Sequence, residues 1–454
     1  MINSEISLSA GWFGQNLRVM MADVVPRSFL NRRAFLARTG ALSALTLGGL
    51  HSTPWLCLGK NGLSIADAFD SEMERFMSAR KVPGGALAVV KDQRLVYARG
   101  YGWADRDREE TVKAESLFRI ASISKPVTSA SVMRLVEAGK LSLDARVTDL
   151  LALEPVVPEG KKTDPRLREV TVRQCLQHTG GWNRDVSGDP MFQSVKIARE
   201  VGVPAPAGPL AIIRYVLGQP LDFAPGTSYA YSNFGYCLLG RVIEEVTGKG
   251  YEEYVRQEVL GPMGIRQMRL GKTLERERVA GEVRYYTPGK KTGASVFASE
   301  PGRVAVPYGT FCLEAMDAHG GWLASAVDLA RFAAAMDAPD TRNLLKSDSR
   351  RWLYEPPAPP VSRNAEGKLA DHFYAAGWSV RPVGNNGRAN YWHTGSLPGT
   401  FTLLVRRHDG LSWAVLFNQR SEDSKLPDGA IDGAMHRAAD AVAEWPGNDL
   451  FADH

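Results

Sequence analysis

The chain has 454 residues, 44% of them hydrophobic and 23% charged, an ordinary composition for a soluble globular enzyme. That length exceeds what one core usually fills, so one large two-lobed domain or two domains are expected. The formal charge of +5 is mild: residues 1–59 carry five arginines against Glu5 and Asp23, a net of +3, leaving +2 on the rest with no long Lys/Arg run, so no nucleic-acid partner is expected.

In chain order, the first feature is NRRAFLARTGALSALTLGGL (31–50), an arginine pair (Arg32, Arg33) leading into a short apolar stretch. This reads as a twin-arginine-like export leader over 1–59, with a cytosolic helix as the alternative. The expected location is therefore periplasmic or extracellular. No other segment is long and apolar enough to cross a membrane. Residues 63–80 place Ile65, Phe69, Met73, Phe76 and Met77 at near-helical spacing. ALAVVKDQRLVYARGYGWAD (86–105) reads as an antiparallel hairpin turning at Lys91-Asp92-Gln93. Residues 127–151 read as a helix, 170–178 and 210–218 as further helical pieces, and 234–265 as two helices split at Gly248. Residues 285–315 are loop-like. Two β-rich runs over 401–419 are joined by Asp409-Gly410, and an amphipathic helix over 430–445 closes the domain.

Antiparallel strands at both ends most economically share one sheet, with the helical middle inserted as a second lobe and a cleft between the two. The expected division is a sheet lobe at about 60–120 and 305–445, a helical lobe at about 121–304, and a tail at 446–454. Cys57, Cys175, Cys237 and Cys312 are too scattered for a zinc or disulfide framework, and buried free thiols are the simpler reading. No H-x-x-x-H or H-E-x-x-H occurs, so a zinc hydrolase is disfavoured; neither a metal nor a cofactor is expected. His178 and His319 read as structural histidines.

FRIASISKPVTSA (118–130) sets a serine and a lysine three apart at a helix entrance. On one rigid turn, Ser122 and Lys125 share a face. The hydroxyl lies at the positive end of the helix dipole, and a buried lysine loses its charge and becomes a base. The plainer reading is that Ser122 or Ser124 caps the helix. APGTSYAYSNFGYCLLGRVIEEVTG (224–248) places Tyr231 and Asn233 in a turn before a helix: a phenol that relays a proton and an amide that binds an acyl group, or a packed ring and a cap. YWHTGSLPGTFTLLV (391–405) puts His393-Thr394-Gly395 at the head of a late strand, where Gly395 would admit a substrate backbone.

S-x-x-K, Y-x-N and H-T-G in this order resemble the serine penicillin-recognising fold, in particular its branch of class C β-lactamases, D-Ala-D-Ala carboxypeptidases, D-aminopeptidases and esterases. Similar blocks run over roughly residues 63–420, including GGWLASAVDLARFAAAM. The resemblance implies an α/β (α+β), β-lactamase/transpeptidase-like fold: an antiparallel sheet flanked by helices with an inserted all-helical lobe. It implies Ser122 as acyl-forming nucleophile and Lys125 and Tyr231 as its proton acceptors. Asn233 would orient the substrate amide. The N–H groups of Ser122 and Ser396 would form the oxyanion hole, and His393, Thr394 and Gly395 would line the substrate. His393 departs from the lysine usual at that position in class C β-lactamases, and a neutral imidazole attracts a carboxylate less. The expected activity is therefore a serine hydrolase working through an acyl-enzyme on a small-molecule or peptide substrate, a D-amino-acid peptide or small ester ahead of a β-lactam. The alternatives are an acyltransferase of the same fold and a non-catalytic peptide binder. The sequence does not choose an oligomeric state.

Overall fold

A computed structural model describes residues 62–454 apart from 338, 340–343, 365 and 385; the arginine pair, the rest of the leader and Cys57 lie outside the described residues. Helix α1 (Ile65–Arg80) starts where the Ser64 hydroxyl accepts from the Asp67 N–H at 3.1 Å and stops at Lys81, whose φ is 55°. Strands β1 (Gly84–Lys91) and β2 (Arg94–Asp105) form the expected hairpin. Asp92 and Gln93 both take positive φ (48° and 67°), the turn whose twist matches that of the strands. Strand β3 (Glu110–Thr111) and the short strand Phe118–Arg119 lead to helix α2 (Ser124–Glu137).

The helix expected over 127–151 ends early, because Gly139 at φ 67° turns the chain; Val147–Leu150 is a separate turn of helix. The middle of the chain is helical, with Val172–Leu176, Ser194–Val201, Pro209–Leu217, α3 (Asn233–Thr247) and Tyr251–Val255. Gly248, at φ 66°, divides the last two. The segment 285–315 holds a small hairpin, Thr292–Ala294 with Arg303–Ala305, that no alternation announced. Then come α4 (Ala326–Asp337), β4 (Phe373–Tyr374), β5 (Ser379–Val383), β6 (Arg388–Leu397), β7 (Thr400–Arg406), β8 (Leu411–Phe417) and α5 (Ala430–Ala441).

Among the described residues the main sheet has the order β3-β2-β1-β8-β7-β6-β5-β4, with every neighbouring pair antiparallel. The chain's two ends share one sheet through β1 and β8, in register from Gly85↔Phe417 to Lys91↔Leu411. The alternation of β1 sends Leu87 and Val89 to one face, with Phe69, Met73 and Phe76 of α1 and Ile431 and Met435 of α5. Ala86, Ala88 and Val90 go to the other, with Leu329 and Phe332 of α4 and the core of the helical middle. Residues 446–454 are no free tail: Arg94 Nη1 donates to the Gly447 carbonyl at 2.8 Å and Asp449 Oδ1 accepts from the Leu95 N–H at 3.0 Å. Cys175, Cys237 and Cys312 are free and buried. Among the described residues no helix is long and apolar enough to cross a membrane.

His393-Thr394-Gly395 do not head the β7 strand as expected. They lie in the second half of β6, paired with Leu404, Leu403 and Thr402. Gly395, expected to admit a substrate backbone, is inside the strand and makes a contact there. A Cβ on Gly395 would sit 2.1 Å from the Ile120 carbonyl oxygen and 2.3 Å from Thr402 Oγ1. The space was reserved for the protein's own backbone rather than for a substrate, and it presses the edge of β6 against the turn that carries Ser122. Thr402 Oγ1 donates to the same Ile120 carbonyl at 2.9 Å. Gly395→Ala is expected to destabilise the protein by about 1–3 kcal/mol, the cost of overpacking a filled site. Denaturant unfolding measures it, and unchanged stability would contradict this packing.

Candidate active site

Ser122 sits in a single 3-10 turn, Ala121–Ile123, immediately ahead of α2. Ala121 is held at φ 47°, a region that alanine avoids, so the turn is locally strained just before the serine. Neither serine caps the helix: the position before α2 is Ile123, which makes no side-chain cap, and Ser124 Oγ instead accepts from the Trp322 N–H at 3.4 Å. The turn is anchored from behind by fully buried Arg119. Its guanidinium donates to the carbonyls of Pro307 (2.6 Å), Lys272 (2.8 Å) and Thr273 (3.0 Å), and its N–H donates to the Tyr285 hydroxyl at 2.8 Å. The 285–315 segment is thereby fastened to the strand that delivers the serine.

Lys125 is completely buried. Its Nζ lies 3.1 Å from Ser122 Oγ, 2.7 Å from Asn233 Oδ1 and 3.0 Å from the His319 carbonyl oxygen. It also lies over the Tyr231 ring, 4.7 Å from the centroid. Burial holds the amine well below its usual range; Arg184 pushes the same way and Asp189 opposes. Tyr231 is pushed up to about 12 by burial, while the Ser122 hydroxyl and Arg184 pull it back. Arg184 also stands over the Tyr231 ring, its Cζ 4.7 Å from the centroid.

Asn233 is not the helix cap. Ser232 is, its hydroxyl accepting from the Gly235 N–H at 3.2 Å. Asn233 bridges Lys125 to Asp189, with Nδ2 donating to Asp189 Oδ2 at 2.6 Å. Its amide is already engaged at both ends by the protein, whereas the sequence reading gave it to a substrate.

Buried His393 donates from Nδ1 to the Thr394 carbonyl (2.6 Å), which leaves Nε2 to accept from the Tyr374 hydroxyl (3.1 Å). This pairing fixes the neutral tautomer, and burial, with Lys125 nearby, depresses the imidazole to about 3. Thr394 is half-buried in β6, and Ser396 is exposed with its Oγ accepting from Arg420 at 3.3 Å. The structure thus brings Ser122, Lys125, Tyr231, Asn233 and the His393 region together from three distant stretches. His178, read as structural, also borders the cluster: its ring lies 4.4 Å from both Tyr231 and Tyr374, and its Nδ1 accepts from the Ser232 N–H at 3.2 Å. Sequence reasoning missed Arg184, Asp189, Tyr374 and the His319 carbonyl. The first two lie in a loop without periodicity and Tyr374 in a two-residue strand; a carbonyl has no sequence signal at all.

A model of the Beta-lactamase family matches residues 69–434. Penicillin-binding protein 4 of Amycolatopsis lactamdurans is 31% identical over 356 residues, covering 76% of this chain and 84% of that protein. Esterase EstB of Burkholderia gladioli is 32% identical over 212 residues, 45% of this chain and 51% of EstB. The crystal structure of D-amino acid amidase from Ochrobactrum anthropi SV3 superposes with a TM-score of 0.62 at 21% identity, covering 83% of this chain and 98% of the amidase.

His178, His319 and His393 are buried and all depressed, chiefly by burial. The unfolded chain takes up their protons near pH 6.5 while the folded chain does not. Their stabilising contribution is therefore complete above that pH and is lost as the pH falls through it, at up to about 1.4 kcal/mol per histidine per pH unit. Calorimetric melts from pH 7 to 5 are expected to show a falling melting temperature, with a shallower fall in His319→Gln. An equal slope in the variant would show that His319 titrates normally.

Proposed function

The chain belongs to the Beta-lactamase family, whose members include serine hydrolases of amides and esters, and on that premise we propose that Ser122 forms an acyl-enzyme with a D-amino-acid peptide or small ester. The observation that carries this reading is the wholly buried Lys125 amine 3.1 Å from the Ser122 hydroxyl. A neutral amine has two N–H groups and one lone pair. Asn233 Oδ1 and the His319 carbonyl take the N–H groups, and the lone pair is left to face Ser122. Lys125 accepts the serine proton as Oγ attacks the scissile carbonyl. Tyr231, protonated at neutral pH, relays a proton to the departing group. The N–H groups of Ser122 and Ser396 receive the oxyanion. Water, or an added alcohol or amine, then releases the acyl group, and product analysis with an acceptor present tells hydrolysis from transfer.

Neutral His393 supports the peptide or ester reading ahead of a β-lactam, because it attracts a carboxylate less than the lysine usual at that position in class C β-lactamases. The leader lies outside the described residues, and export of the protein forms part of the proposal.

Fluorophosphonate labelling is expected in the wild type and absent in Ser122→Ala; labelling that survives the substitution would remove Ser122 as nucleophile. Lys125→Met is expected to lower ester turnover by roughly 10³-fold, the scale of a lost general base. The acid limb of kcat/KM marks protonation of the amine. Asp189 raises the Lys125 pKa, so in Asp189→Asn the amine stays neutral to lower pH and the limb moves down. A limb that stays put would assign it to another group.

A further inference from the structure

Arg184 stands out among the charged groups of the site because it has no acid to pair with. Its guanidinium is half-buried over the Tyr231 ring, yet among the described residues it makes no hydrogen bond or ion pair. The nearby acids are committed elsewhere. Asp189 accepts from Asn233 Nδ2 at 2.6 Å and from the Met191 N–H at 3.1 Å. Asp222 accepts from the Asn183 N–H at 2.6 Å and from Ser187 Oγ at 2.9 Å. Asp185 is exposed. The loop that carries Arg184 is built rather than loose: the N–H groups of Val186 and Ser187 both donate to the Asn183 carbonyl at 3.0 Å, and Asp222 clamps its start. A fork of donors is therefore held beside the phenol with its anion-binding capacity unspent.

Two other basic side chains beside Tyr231, Lys125 and His393, offer nothing to an anion, while Arg420 donates to Ser396 Oγ at 3.3 Å on the β6 side of the site. The N–H groups of Lys125 are taken by Asn233 and the His319 carbonyl, and His393 is locked neutral between Thr394 and Tyr374. We infer that Arg184 reads a carboxylate on the departing half of the substrate, an inference that rests on the acyl-enzyme reading above. The side follows from Tyr231: the phenol that hands a proton to the leaving group is the ring over which Arg184 sits. In the reaction the Ser122 Oγ–acyl bond forms and the bond to the leaving oxygen or nitrogen breaks. The serine proton passes through Lys125 and Tyr231 to that atom, and the departing alcohol or amine leaves with its carboxylate unchanged and paired to Arg184.

Matched esters test this: 4-acetoxybenzoate, whose leaving phenol carries a carboxylate, against 4-acetoxybenzamide, whose leaving phenol is neutral. Wild type is expected to favour the charged ester in kcat/KM by roughly tenfold, as a charge-assisted contact at a half-buried site allows. The charged-to-neutral ratio should fall toward one in Arg184→Met and be partly kept in Arg184→Lys. Mono-4-nitrophenyl glutarate against 4-nitrophenyl pentanoate places the charge on the acyl half, where no preference is expected. An absent preference in wild type, a preference on the acyl side, or equal loss on both esters in Arg184→Met would each overturn the inference. Binding of 4-hydroxybenzoate and 4-hydroxybenzamide to Ser122→Ala by calorimetry needs no turnover. Discrimination there without turnover of any ester by wild type would uphold the anion site and sink the acyl-enzyme reading, whereas turnover without discrimination would do the reverse.

Discussion

An amine fully removed from water constrains everything around it. Leaving Lys125 charged at that depth would cost several kcal/mol, so the fold must either pair it with an acid or accept it neutral. Among the described residues no carboxylate touches it. Its contacts are two carbonyl-type oxygens and one hydroxyl, the complement of an uncharged NH₂ group. Those contacts come from the turn before α2, the start of α3 and the segment ahead of α4, so placing one nitrogen correctly fixes three remote parts of the chain relative to one another. Gly395 adds the fourth, by letting β6 lie directly on the Ile120 backbone.

Around this nitrogen the wall is aromatic and uncharged. Tyr231, Tyr236, Tyr374, His178 and His393 meet tilted or edge-on at centroid distances from 4.4 to 6.3 Å. Burial raises the phenols and depresses the imidazoles, so both kinds of ring stay neutral around pH 7. Such a lining has a low dielectric, which strengthens the few real charges at its rim. The opposed influences of Arg184 and Asp189 on Lys125 are felt for that reason.

The parts of this arrangement that were legible in the sequence are those carried by local periodicity and short spacing. Ser122 and Lys125 are three apart on one turn, and Tyr231-Ser232-Asn233 precede an apolar helix. The hairpins β1–β2 and β7–β8 announce themselves by β-rich runs and turn residues. What escaped depends on distant partners. Ser232 took the capping role that Asn233 equally suited, because the asparagine was drawn off by Lys125 and Asp189. The helix read through to residue 151 was cut at Gly139, whose positive φ was one choice among several open to a glycine. Strand β6 was hidden because Gly395 was assigned to a substrate backbone, and its need for that glycine lies in Ile120, far away in the chain. Arg184 and Asp189 belong to a loop shaped by Asp222, a partner that no periodicity marks.

The pairing of β1 with β8 has a consequence for how the molecule comes into being. The hairpin made first during synthesis shows a bare backbone edge until the last strand arrives more than three hundred residues later, when Gly85 can meet Phe417. Until then the apolar side of α1 has no sheet centre to rest on, and the emerging polypeptide must be kept from pairing that edge with its neighbours. Maturation of this protein is thus gated by β8, and a ribosome that stalls short of it releases a chain with an adhesive seam in place of a sheet.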